Sequence, residues 1–187
     1  TLGMIAGVAL LLVLGTWQAM RFSEKLALET ERDERLTNEP TPIDSAIAIG
    51  PDDDFTRRVA RGEFDLDRTV LFKFRNYESK PGYWLGTPLV FEDGSALLVN
   101  RGWVPMETGR ELARDLGTRG PTTVEGVVRI PDQIISDEET RAATTDDGLK
   151  DSYTEWSSFD ITGVYNALPY EVPDTPAVLV LDKGESE

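Results

Sequence analysis

The chain has 187 residues, with 34 Asp and Glu against 19 Lys and Arg, a formal net charge of −15. Binding to nucleic acid exchanges phosphate counterions for protein cations, so this balance excludes nucleic acid as a partner, and it disfavours a domain lying flat on anionic lipid. Neither cysteine nor histidine occurs, which removes disulfides, thiolate metal sites, serine triads, HExxH zinc sites and bis-histidine haem ligation, and makes the chain a poor enzyme candidate.

The first 20 residues, TLGMIAGVALLLVLGTWQAM, carry no charge. As a helix rising about 1.5 Å per residue they span roughly 30 Å, the thickness of a bilayer's hydrocarbon core. A cleaved signal peptide would end in small residues, whereas Trp17 stands near the end of this run. A buried core helix would be shorter and show a polar stripe. The expectation is a transmembrane helix over residues 1–20, with Trp17 in the interfacial belt and Arg21 and Lys25 reaching toward headgroups.

Residues 21–38, RFSEKLALETERDERLTN, hold strong helix formers and no Gly or Pro. Lys25 with Glu29 and Glu31 with Arg35 are spaced i,i+4, which supports a charged helical stalk ending before Pro40 and Pro42. Such a stalk presents either a solvated face or a docking face. Residues 40–54 read as a connector, with Ile43, Ile47 and Ile49 tucking it onto the domain.

From Phe55 the apolar period becomes two. Strands are predicted over residues 57–64 and 69–75, split by a turn near residues 65–68, and a hairpin over 83–91 and 95–100 closes at Glu92-Asp93-Gly94. A short helix is expected over 106–116 and a strand over 122–130. Residues 132–151 form an acidic loop without calcium-loop spacing. A strand over 153–159, a short helix over 161–168 and a strand over 177–181 complete the chain. The expected fold class is α+β: a transmembrane helix, a stalk, and an antiparallel β-rich, barrel-like extramembrane domain over residues 39–187.

The strongest local signal is Leu97-Leu98-Val99-Asn100-Arg101-Gly102-Trp103-Val104-Pro105, an apolar strand running into a charge, a glycine and a large aromatic. One reading is a strand end with Arg101 paired to a carboxylate and Trp103 in the core. The other is a partner or ligand surface, since Trp and Arg dominate binding hot spots. Arg57, Arg58 and Arg61 make a basic spot, either cross-strand ion pairs or a contact for propionate or phospholipid. Met4, Met20 and Met106 are candidate haem-iron ligands in principle, but as lone methionines without a CxxCH companion they are read as packing residues.

Several of these pieces, in order, resemble the surfeit-locus oxidase-assembly family. Gly15-Thr16-Trp17-Gln18, Arg21, Lys25 and Leu28 resemble its opening motif, and Arg58-Val59, Gly62 and Phe64 its first strand. Gly86-Thr87-Pro88-Leu89-Val90, Asp93-Gly94 and Leu98 through Pro105 resemble its central hairpin. Val124-Glu125-Gly126-Val127-Val128-Arg129 and Trp156 with Phe159-Asp160 continue the match.

The resemblance implies a non-enzymatic factor in assembly of haem–copper cytochrome c oxidase, helping haem a insertion or maturation of the catalytic subunit. The alternative is a stable accessory subunit of an oxidase or respiratory supercomplex that handles no haem. Implied partners are the oxidase catalytic subunit or other respiratory-complex subunits, and the membrane. The implied location is the bacterial plasma membrane with the domain on the periplasmic side, or the mitochondrial inner membrane. Family members carry a second membrane helix, expected after residue 187. Haem a enters by resemblance alone, since a histidine has been proposed as its ligand in the family and the chain has none. Contact candidates for a partner or haem are Trp17, Gln18, Arg21, Arg58, Arg101, Gly102 and Trp103.

Overall fold

The computed structural model describes residues 2–108, 119–131, 154–156 and 160–181. Two compact units result, residues 1–38 and 39–187. In the first, Leu2–Thr37 forms one helix, α1, of 36 residues. Of the two expected i,i+4 pairs, Glu31–Arg35 is present, Arg35 Nη2 donating to Glu31 Oε1 at 2.9 Å, and the helix stops short of Pro40, which has no N–H to continue the ladder. Among the described residues no helix is long and apolar enough to cross a membrane.

The second unit is an antiparallel-rich, barrel-like sheet of eight strands: β1 Thr41–Ile43, β2 Arg57–Phe64, β3 Val70–Tyr77, β4 Lys80–Val90, β5 Ala96–Pro105, β6 Pro121–Arg129, β7 Thr154–Trp156 and β8 Val178–Leu181. A short helix, α2, covers Ile161–Ala167 and is capped by Asp160, whose carboxylate accepts from Gly163 N at 2.8 Å. The order across the sheet is β1-β2-β6-β8-β5-β4-β3-β7. At its far end β2, still paired with β6 at Glu63↔Pro121, also pairs with β4 at Glu63↔Val90 and Phe64↔Leu89, closing a ring of β2, β6, β8, β5 and β4.

Closure explains why β5 reads as an unbroken apolar run: both its faces are covered. Leu97 and Val99 point into one core with Ala60, Leu89, Val128 and Leu179. Leu98 points the other way, into a second core with Val70, Phe72, Val178 and the buried face of α2. Alternation along a strand sends neighbours to opposite faces. Between these layers Tyr165 of α2 donates its hydroxyl to Ala177 O and accepts from Leu98 N at 3.0 Å. Burial pushes this phenol far above its ordinary range, although the Leu98 N–H opposes the shift.

The connector contains a strand that its sequence does not announce. Thr41–Ile43 pairs parallel to Arg58, Val59 and Ala60, because the chain needs only three residues in register there. Ile43 and Ile49 are buried as expected, while Ile47 is exposed. A buried bond from Ala46 N to Ser95 Oγ, 2.9 Å long, fixes the segment to the start of β5.

Two strands run further than the alternation suggests. β4 begins at Lys80 rather than Tyr83, paired with the end of β3 across the two-residue turn Glu78-Ser79. Both turn residues are left-handed, φ 48° and 66°, a conformation that Asn or Gly usually signals, so the turn carries no marker in the sequence. β5 does not end at Asn100 but continues to Pro105. The expected helix over 106–116 and the acidic loop over 132–151 fall mainly or wholly outside the described residues, and of the expected strand over 153–159 only β7 lies within them.

Candidate functional site

Asn100-Arg101-Gly102-Trp103 sits inside a strand. Gly102 adopts φ 114°, a backbone that side-chain-bearing residues avoid, and Asn100 Oδ1 accepts from its N–H at 3.0 Å. The register of β4 against β5 shifts here, between Trp84 and Gly86. An extra residue in one strand changes the side-chain alternation. On one side of this irregularity the Arg101 guanidinium lies 4.8 Å from the centre of the Phe64 ring, tying β5 to the closing strand β2. On the other, Trp103 faces Trp84 across the strands and stands 5.6 Å from Tyr77, ring centre to ring centre.

Trp103 lies over Gly82. A Cβ added to Gly82 would come within 2.4 Å of the Trp103 ring and 2.3 Å of Val104 O, so only glycine lets the indole lie this close to β4. Tyr77 is 45% exposed and Met106 36% exposed, while Trp103 and Trp84 are half-buried. The result is an aromatic surface at the end of three strands, supported on its opposite face by the buried group Leu71, Tyr83, Leu85 and Val104.

The basic spot on β2 is divided by the fold. Arg57 pairs with Glu125 across β6. Arg58 is held by Asp53 and Thr41, and its Nε donates to Thr56 Oγ1 at 3.2 Å. Arg61 instead lines a cleft of about 590 Å³ that also presents Arg68, Arg119, Phe64, Phe91 and Tyr170. Sequence reasoning passes over this cleft because its walls come from four separate segments. Within it Asp65 accepts from Arg68 Nη1 at 2.6 Å and from the Tyr170 hydroxyl at 2.7 Å. Burial and the Asp65 hydrogen bond push the Tyr170 phenol up to about 12. The three arginines share the cleft with Glu63, Asp65, Asp67 and Glu92. With cations and carboxylates so nearly balanced, the lining selects neither a net anion nor a net cation.

Trp17, Gln18 and Arg21 all lie on α1, exposed, with the Arg21 guanidinium 5.4 Å from the Trp17 ring centre. Arg101, Gly102 and Trp103 belong together on β5, and Arg58 lies apart from them in its own polar group. Axial ligation of haem iron is not a chemistry these residues fit. There is no imidazole or thiolate, and Met20 and Met106 are exposed. Among the described residues no group of three or more His, Cys, Asp or Glu is placed to hold a metal ion.

Surfeit locus protein 1 of Xenopus tropicalis is 30% identical over 134 residues, 63% of this chain and 44% of that protein. Surfeit locus protein 1 of Rattus norvegicus is 29% identical over 133 residues, again 63% of this chain and 44% of the relative. A SURF1-like protein of Dictyostelium discoideum is 28% identical over 99 residues, 48% of this chain and 37% of the relative. The chain thus matches less than half the length of these curated relatives. The profile of the SURF1 family covers residues 5–187, taking in the exposed motif on α1 and the Arg101–Trp103 bend alike, and the chain belongs to the SURF1 family.

Proposed function

We propose that this chain is a non-enzymatic assembly factor for haem–copper cytochrome c oxidase that assists maturation of the catalytic subunit from the membrane surface. The observation that carries the reading is family membership from residue 5 to residue 187, joined to the oxidase-assembly role that the motif resemblance implies. The uncharged run before Arg21 supports a membrane tether, and the bacterial plasma membrane with the β-rich domain on the periplasmic side is what the family resemblance implies. Trp103 and Tyr77 supply the partner surface, since large half-exposed aromatics are the residues that dominate protein interfaces. No step is routed through haem iron, since neither His nor Cys occurs in this sequence. A role in haem a insertion therefore consists of holding the receiving subunit.

A second reading, a permanent accessory subunit that handles no haem, is favoured by the absence of histidine and cysteine. Purification of the full-length protein with its membrane partners separates the two. Substoichiometric association at an assembly stage, with haem a absorbance in the complex, supports the assembly factor. One copy per mature oxidase without haem a beyond that of the oxidase supports the subunit. If no oxidase component co-purifies, both fail. Trp103→Ala is expected to lower the amount of assembled oxidase several-fold while the domain stays protease-resistant. Loss of assembly accounted for entirely by unfolding would remove Trp103 from the partner surface.

A further inference from the structure

The cleft that Arg61 and Arg119 line holds charges of both signs that the fold itself does not use. Of the described arginines in the β-rich domain, Arg57, Arg58, Arg68 and Arg129 each hold a carboxylate. Among the described residues, the side chains of Arg61 and Arg119 make no ion pair, hydrogen bond or ring contact. Glu63 and Glu92, exposed in the same cleft, are equally unengaged. Register explains why these charges stay apart. Arg61 and Glu63 stand two residues apart on one face of β2, about 7 Å along the strand. Arg61 lies opposite Thr123, and Glu63 opposite Pro121 and Val90, so no opposite charge stands across from either. Another part of the lining is already satisfied, since Asp65 accepts from Arg68 and from the Tyr170 hydroxyl. Phe64, Leu66 and Val90 add apolar surface.

We propose that this cleft binds a small zwitterion, its anionic group taken by Arg61 and Arg119 and its primary ammonium by Glu63 and Glu92. The volume of about 590 Å³ lies within the usual range of small-molecule sites, about 300–1,000 Å³. A lone anion would meet the two unengaged glutamates, and a lone cation the two unengaged arginines, so either alone is opposed by like charge. A ligand carrying both signs on one short skeleton satisfies all four groups. The guanidinium fork suits carboxylate and phosphate alike. A primary ammonium brings three N–H donors to the carboxylates, whereas a quaternary ammonium brings none. Two sources share this chemistry: an unblocked short peptide, and a phosphoethanolamine headgroup. The site belongs to the β-rich domain alone, so the inference stands apart from the oxidase reading and from the tether reading of α1.

Isothermal titration calorimetry on the full chain in detergent tests this with two families of probe. The first is the dipeptide alanyl-leucine, with its N-acetylated form as the anion alone and its C-terminal amide as the cation alone. The second is glycerophosphoethanolamine, with glycerol phosphate, ethanolamine and glycerophosphocholine as the matching controls. At least one zwitterion is expected to bind about tenfold or more tighter than its own single-charge forms, and the tighter of the two names the source. Arg61→Gln and Glu63→Gln are each expected to weaken that binding about fivefold or more, while Arg57→Gln, outside the cleft, leaves it unchanged. Arg61 and Glu63 are exposed, so both variants keep the fold, which circular dichroism verifies. Absence of binding by either zwitterion up to about 10 mM overturns the proposal. A single-charge probe that binds as tightly as its zwitterion, or an affinity indifferent to Arg61→Gln or to Glu63→Gln, overturns it as well.

Discussion

Gly82→Ala tests the packing on which the aromatic surface depends. The added methyl would lie 2.3 Å from Val104 O and 2.4 Å from Cε2 of Trp103, about 1 Å inside the separation of ordinary packed carbon atoms. The carbonyl belongs to the β4–β5 ladder, where Gly82 lies opposite Pro105, so it cannot retreat without moving a strand. The indole must swing outward instead. Overpacking of this kind costs about 1–3 kcal/mol, and the tight contact to backbone places this site near the upper end. Replacing glycine also restricts the unfolded chain, which returns about 0.4–1 kcal/mol. The net expectation is a loss of roughly 2 kcal/mol, or about 4–8 °C in Tm for a domain of this size. Urea denaturation of the detergent-solubilised chain, followed by near-ultraviolet circular dichroism, measures it, and the same spectra report whether Trp103 has moved. A variant as stable as the parent, with an unchanged aromatic spectrum, would falsify the idea that glycine is required for the indole to reach β4.

Three further outcomes concern other parts of the domain. Tyr165→Phe keeps the ring but orphans Leu98 N–H and Ala177 C=O; at about 1–2 kcal/mol for each buried group, stability should fall by about 2–4 kcal/mol in the same urea assay, and a loss below about 0.5 kcal/mol refutes the bridging role. Arg58→Ala leaves Asp53 without its guanidinium and is expected to cost about 1–2 kcal/mol while leaving membrane association intact; loss of vesicle binding in a folded variant would give Arg58 the contact role that its structural neighbours argue against. Tyr170 should titrate near pH 12 by phenolate absorbance. Because its folded-state value lies above the ordinary value of about 10, its contribution to stability is complete below about pH 10 and is lost as pH rises through 12. Tyr170→Phe should remove that limb, and an unchanged alkaline profile would place the shift elsewhere.

The sheet itself was largely legible. Alternation located β2, β3, β6 and β8 to within two residues of their ends, Asp93-Gly94 closed the β4–β5 hairpin, and Pro40 set where α1 stops. These features depend on interactions within a few residues, where steric preference and apolar period act directly. The ordered motifs from Gly15 to Asp160 also identified the family, which the profile over residues 5–187 bears out. The turn at Glu78-Ser79 was hidden because neither residue is a usual choice for positive φ. Only the pairing of β3 with β4 on both sides holds it there.

The site residues divide along the same line. By itself the sequence determined that Arg101, Gly102 and Trp103 would stand together after an apolar strand, and that three arginines would cluster on β2. What each side chain does was decided by strands distant in the chain. Arg57 finds Glu125, 68 residues away, only because β2 and β6 pair in one register. Arg101 reaches Phe64 only because β2 closes onto β4. Trp103 lies against β4 only because Gly82, on the strand beside it, carries no side chain. Local sequence fixes which residues share a strand; the long-range register chooses which of them pair with each other and which are left facing a partner.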